Sequence, residues 1–192
     1  MSLVMTSGPA LEPVSLAEAK AHLRIDGTAE DALIQSLIVT SRLHIEAALG
    51  LALITQNWSY YLDRWPKSGR LVLPLRPVAA LAHVRVWSDE DVAETLDLSD
   101  FLLDGEGMPP RLVALANLDQ IARRRMANSI EVGITAGFGA SSDDVPATIR
   151  HALLLLVAHW YEHREPVQIG VGVNAVPAMV SELLAPYRRR RL

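Results

Sequence analysis

Residues 14 to 58, VSLAEAKAHLRIDGTAEDALIQSLIVTSRLHIEAALGLALITQNW, constrain the fold most, because they spell two helices in succession and then stop being helical. Ser15 opens the pattern Ser-Leu-Ala-Glu. With Glu18 three residues on, this is a capping box: the serine hydroxyl takes the N3 amide while the glutamate reaches back. Leu16, Ala19 and Leu23 predict a short helix to about Ile25, with Asp26-Gly27 as its stop. Thr28 is placed to cap a second helix, with Glu30 and Asp31 in its positive first turn. Leu33, Ile34, Leu37, Ile38, Ile45, Ala48 and Leu49 then recur at helical spacing, and Gly50 supplies a C-terminal stop.

After Leu53 the pattern changes. TQNWSYYLDRW is rich in aromatic and hydroxyl residues, and RLVLPL follows a Pro-Lys-Ser-Gly turn signal. In AHVRVWS, Val84 and Val86 alternate with Arg85; FLLDGEG reads as a short strand and turn. Ile130, Val132 and Ile134 alternate with Ser129, Glu131, Gly133 and Thr135, the pattern of a half-buried strand. Residues 54 to 138 therefore predict a small antiparallel sheet. LVALANLDQIARRRMANS interrupts it, and its pattern suits either a helical turn or a long loop.

Gly137 and Gly139 close the sheet region. A third helix is expected from Val145-Pro146, since proline suits a first turn, with Ile149, Leu153, Leu156, Val157 and Trp160 on its buried face. It is apolar nearly all round from Ala152 to Ala158, which predicts a central position. Glu165-Pro166 ends it, VQIGVGVNAV reads as a flexible or extended connector, and Pro177 opens a last short helix that breaks near Pro186.

The 192 residues suffice for one substantial core, and 50% hydrophobic with 21% charged is a globular balance. Without cysteine there is no disulfide, zinc-thiolate site or thiol nucleophile. MSLVMTSGPALEP has no basic segment ahead of an apolar one, so no secretory signal is expected. The longest strongly apolar run is the seven residues Ala152–Ala158, whereas a membrane span needs about 20. Net charge is −4; with the four arginines Arg188 to Arg191 set aside, the remainder carries −8. An acidic body with a basic tail argues against general nucleic-acid binding, which relies on Lys and Arg neutralising phosphates.

Few residues suggest bond chemistry. His159 and His163 lie four apart on one helix face beside Glu162, which would suit a small metal-dependent enzyme. Yet His-Trp-Tyr-Glu-His is not His-Glu-x-x-His, and no other cluster offers a third ligand; surface pairing at a helix end is the plainer reading. No serine sits in a nucleophile elbow, and Gly133, Gly137, Gly139, Gly170 and Gly172 form no phosphate-loop or dinucleotide fingerprint. A DNA-binding module would draw on Arg123, Arg124 and Arg125 with the tail arginines. A solvated face, or a salt bridge between subunits, accounts for the first run equally well. The tail suits docking onto a partner's carboxylates, where planar guanidinium groups bind in two-point fashion.

Several separated segments, in one collinear order, carry a family resemblance. They are PVSLAEAKAHLRID, EDALIQSLI, ALITQNW, LPLRPV, GITAGFG, VPATIRHALLLLVAHWYEHRE and LLAPYR. Together they resemble the head–tail connector (adaptor) proteins of long-tailed phages and related gene transfer agents. The stretch from Asp89 to Asn128 lies outside the resemblance.

The resemblance implies an α+β fold: a mainly helical body of about four helices with an inserted small antiparallel β-subdomain. Residues 1–53 and 140–192 would form the two helical parts, and 54–139 the insertion, in a single domain. It implies a structural protein with no catalytic residue, cofactor or metal. Copies would form a ring, typically of twelve, between the capsid portal and a tail-side connector or stopper, and could be monomeric in isolation. DNA would pass through the channel without specific binding. The protein would belong to the particle's head–tail junction, and to the host cytoplasm during assembly. Leu183, Leu184, Tyr187 and Arg188 would contact the portal; Arg189, Arg190 and Arg191 extend beyond the family's usual ending.

Overall fold

The computed structural model describes residues 1–115, 125–163 and 176–188. The expected α+β class is present: among the described residues there are four α-helices and two antiparallel sheets. The chain divides into two compact units, Met1–Ala10 with Gly50–Ala140, and Leu11–Leu49 with Ser141–Leu192.

In the helical unit, α1 spans Leu16–Leu23. Its capping box is complete: Glu18 N donates to Ser15 Oγ at 3.2 Å, and Ser15 N donates to Glu18 Oε2 at 2.8 Å. The helix stops earlier than Asp26-Gly27 predicts, because Arg24 turns left-handed (φ 56°) and its N–H bonds back to the last turn. Lys20 then bridges the link, donating to the Gly27 carbonyl and pairing with Asp31 at 2.6 Å.

Helix α2 spans Asp31–Leu49, so Thr28 precedes it by a turn and contributes its carbonyl, which accepts from Asp31 N at 3.2 Å. Ile34, Ile38, Ile45 and Leu49 are buried at spacings of one or two helical turns. Ala48 is exposed, and Leu33 and Leu37 only half-buried, because the buried stripe instead takes in Ser41, Arg42 and Glu46. Gly50 follows with φ 64°, the left-handed stop its position predicts.

Helix α3 runs Ala147–Glu162 after Pro146, which occupies the N-cap, with Ile149, Ala152, Leu153, Leu156 and Val157 buried. Trp160 is only half-buried and meets the His44 ring edge-on at 5.6 Å. A 3-10 turn, Ser142–Asp144, leads into α3 and has its own capping box, Ser141 with Asp144. Helix α4, Ala178–Leu184, starts after Pro177 and packs against α3, burying Val180 and Leu184.

The other unit is a pair of sheets. Five antiparallel strands lie in the order β1 (Ser2–Ser7), β2 (Gln56–Leu62), β8 (Ile130–Ala136), β4 (Val78–Trp87), β5 (Ala93–Thr95). Three more, β3 (Arg70–Val72), β7 (Arg111–Ala114) and β6 (Phe101–Asp104), form a second sheet. Leu71, Leu112 and Phe101 from the small sheet share a buried core with Val84, Val86 and Val132 from the large one. The interrupting stretch thus begins as strand β7, while residues 116–124 lie outside the described residues.

Two expectations change here. The sequence puts residues 1–53 in the helical part, whereas Met1–Ala10 and Gly50 onward belong to the sheet unit. The reason is pairing: β1 forms a ladder with β2, and Leu3 packs beside Ala52, Leu75 and Ala136. Strand β8 is buried on both faces instead of one, because it is the middle of five strands and side chains from β2 and β4 cover Glu131 and Gly133. Among the described residues no helix is long and apolar enough to cross a membrane.

Candidate assembly surfaces

The terminal segment carries the residues expected to dock. Leu184 is buried against the helical core, and Leu183 is half-buried. A 3-10 turn, Ala185–Tyr187, contains Pro186 and places the Tyr187 hydroxyl 2.9 Å from Thr148 Oγ1 at the start of α3. Arg188 is exposed, while Arg189, Arg190 and Arg191 lie outside the described residues. Leu184 and Tyr187 therefore hold the last helix on its own unit, and of the residues expected to dock, Leu183 stays partly accessible and Arg188 is exposed.

His159 and His163 do come together, their rings 4.6 Å apart. However, His163 Nδ1 donates to the His159 carbonyl at 2.8 Å, so the side chain turns back on its own helix. Among the described residues no group of three or more His, Asp or Glu is arranged to hold a metal ion. The arginine run also divides. Arg125 stacks over Trp87 at 4.6 Å, pairs with Asp91 at 3.3 Å and donates to the Asn128 carbonyl, whereas Arg123 and Arg124 lie outside the described residues. Arg125 is thus committed to its own unit.

Two buried ionic clusters have a structural character. Arg42 pairs with Glu46 at 2.8 Å along α2 and with Glu12 at 2.7 Å ahead of α1. Burial alone would lower the Arg42 pKa, but the bonds and charges of Glu12 and Glu46 win and raise it. On β8, Glu131 Oε1 accepts from Ser59 at 2.8 Å and Tyr61 at 3.3 Å and lies 3.2 Å from His83 Nε2. Burial pushes that carboxyl up, and the bonds from Ser59 and His83 with the charges of His83 and Arg85 outweigh it, so it ends below its ordinary value. The charges of both clusters are paired with groups of their own unit.

The surfaces that remain open lie elsewhere. A groove of about 510 Å³ in the helical unit is lined by Leu11, Val14, Leu16, Ile38 and Val39. In the sheet unit, β1 is an outer strand with Val4 and Met5 exposed, and β5 is the other outer strand. The connection leaving β2 exposes Arg64 and Lys67, and β3 exposes Arg70; Asp89 and Glu90 are exposed beyond β4 and Glu94 on β5. Sequence reasoning missed both patches. Their signal was present, as three cations in seven residues and four acidic residues in six, but neither stretch has meaning until the strands between them are placed.

The family model described as head completion protein matches residues 12–190. The chain belongs to the head completion protein family. No curated protein matches it. Among solved structures, it is similar to a chain of the virion of a native gene transfer agent particle, at TM-score 0.83 and 27% identity, covering 100% of this chain and 97% of that one. It is similar in the same coverage to a chain from the neck of an empty gene transfer agent particle with C6 symmetry, at TM-score 0.82 and 28% identity. A chain from the neck of a native particle with C12 symmetry matches at TM-score 0.77 and 27% identity. The head completion match begins at Glu12, whose carboxylate Arg42 holds, and the solved chains extend the likeness to β1, ahead of it.

Proposed function

We propose that this chain is a structural adaptor of the head–tail junction in a phage or gene transfer agent particle, assembled as a ring of twelve between the portal and the tail. The observation that carries this reading is end-to-end likeness: all of this chain aligns with 97% of chains from a gene transfer agent virion and from particle necks, at 27–28% identity. Neighbours in necks of C6 and C12 symmetry favour a ring, and family membership favours a structural role. DNA passes through the ring without specific binding; the chain's net charge of −4 keeps the wall from gripping phosphates.

The terminal segment docks on the portal. Leu183 and Arg188 make first contact, since both are accessible while Leu184 and Tyr187 hold α4 in place. Arg189, Arg190 and Arg191 add cationic contacts to carboxylates of the portal. A tail-side connector or stopper occupies the opposite face of the ring.

Electron microscopy of the chain mixed with its cognate portal tests the reading. A ring seated at one end of the portal is the expected result; persistent separation under assembly conditions overturns it. Truncation after Pro177, which removes α4 with the arginines, tests the docking segment, and portal binding equal to that of the full chain would remove it.

A further inference from the structure

We infer that the groove between the segment entering α1 and the middle of α2 seats this chain's own terminal residues, Arg188 to Leu192, before assembly, and that the portal draws them out. The seat belongs to the helical unit alone; its emptying by the portal rests on the docking reading above.

The first observation is an apolar floor under an anionic rim. Leu11, Val14 and Leu16 on one wall and Ile38 and Val39 on the other enclose about 510 Å³, and Leu11 and Val39 are 42% and 37% exposed. Carboxylates surround this floor. Glu12 lines it, Ser15 lines it and holds Glu18, and Ser142 lines it just ahead of the exposed Asp143 and Asp144. With Glu46, which shares Arg42 with Glu12, that makes five carboxylates. Only two guanidinium groups answer them, Arg42 and Arg150, so the rim keeps a surplus of three negative charges. Such a groove suits a segment that is cationic and apolar at once.

The second observation is where the last described residues stand. The Tyr187 hydroxyl lies 2.9 Å from Thr148 Oγ1, in the first turn of α3, and Ser142, Asp143 and Asp144 lie just ahead of that turn in the chain. Arg188 is exposed, has an extended backbone (φ −70°, ψ 141°) and makes no ion pair among the described residues. Arg189, Arg190, Arg191 and Leu192 follow it in the sequence. At about 3.3 Å per residue, four residues reach about 13 Å. Walls, rim and the Thr148 anchor all belong to the helical unit.

The third observation is complementarity, and it selects the occupant. Arg188 to Arg191 place four positive charges in a row, against the surplus of three negative ones at the rim. Guanidinium groups bind carboxylates at two points while their apolar stems lie along the floor, and Leu192 adds a wholly apolar side chain. Tethering then favours the chain's own tail over that of a second copy. A short link holds a segment at an effective concentration of about millimolar, which another molecule matches only when equally concentrated. Groove and portal therefore compete for the same arginines.

The test is trypsin cleavage at Arg188 to Arg191 in the full chain, read by intact mass. Leu11→Gln with Val39→Gln alters two side chains that are already part-exposed, and tail cleavage should quicken about tenfold while cleavage elsewhere keeps its wild-type rate. Equal tail cleavage in the two chains would overturn the seat. Protection that grows with protein concentration would assign the tail to a second copy and overturn it too. Portal binding separates the two readings. The groove variant should bind the portal at least as well as wild type; loss of binding would make the groove a portal contact and sink the inference. A wild type that ignores the portal would instead remove the docking reading and leave tail protection standing. As a second measurement, Val39→Cys with Leu192→Cys introduces thiols into a chain that has none, and a short bismaleimide should bridge them within monomers. Exchanging the four arginines for glutamine should cut that yield about tenfold, and an unchanged yield would refute the seat.

Discussion

Arg42 holds Glu12 at two points, Nε to Oε2 at 2.7 Å and Nη2 to Oε1 at 3.2 Å, across 30 residues of chain. Its remaining arm reaches Glu46 at 2.8 Å. The segment ahead of α1 is thereby fastened to the middle of α2. Because Arg42 and Glu46 are buried, removing the cation strands carboxylates away from water. Arg42→Ala is expected to lower stability by about 3 kcal/mol. The check is a urea midpoint that falls with an unchanged slope. Arg42→Lys should recover only part of the loss, since an ammonium lacks the planar fork.

The Ser15 capping box is a smaller term of the same kind. Ser15→Ala leaves the Glu18 amide without its acceptor and should cost about 1 kcal/mol. Hydrogen exchange should show the loosening concentrated in α1, while β8 keeps its protection.

Glu131 makes acid stability directional. Its carboxyl sits below the ordinary value of 4.5 in the folded chain, through Ser59 and His83 and against burial. The unfolded chain therefore binds the proton more readily, so the stabilisation is complete above pH 4.5 and is lost as pH falls through the folded-state value. Glu131→Gln should be less stable than wild type at neutral pH, and the two should converge in acid. Melting at a series of pH values measures this; a constant difference throughout would refute it.

Gly133 and His83 form a second coupled pair. A Cβ at Gly133 would lie 2.3 Å from His83 Cε1 and under 3 Å from both ring nitrogens, so the whole imidazole must move. Gly133→Ala is expected to cost about 2 kcal/mol in wild type. In the His83→Ala background the same change should cost much less. A double-mutant cycle reads the coupling, and simple additivity would contradict it.

At the C-terminal end, Leu184 and Tyr187 hold α4 by different means. Leu184→Ala empties a buried site and should cost about 2–4 kcal/mol, with early proteolytic cleavage near α4. Tyr187→Phe removes the hydroxyl that meets Thr148 Oγ1 and should cost about 1 kcal/mol. Chemical denaturation of the two variants should preserve that order.

Local order determined much of this protein before any coordinates. The Ser15 box, the stop at Gly50 and the helix after Pro146 rest on contacts within a few residues, and residue type and spacing specify them. The collinear segments from PVSLAEAKAHLRID to LLAPYR likewise sufficed to point to the family. Tertiary structure alone decided what depends on distant partners. The Ser2–Ser7 segment is a strand because β2, about 50 residues on, offers a ladder. Arg42 is buried because Glu12 waits beside it, and Glu131 because it lies on the central strand between Ser59 and His83. Leu184 and Tyr187, which the tail sequence presents as docking residues, bind first to their own unit. Periodicity states which face of an element avoids water; it does not state which element will cover that face, because that choice is made by pairing across the whole chain.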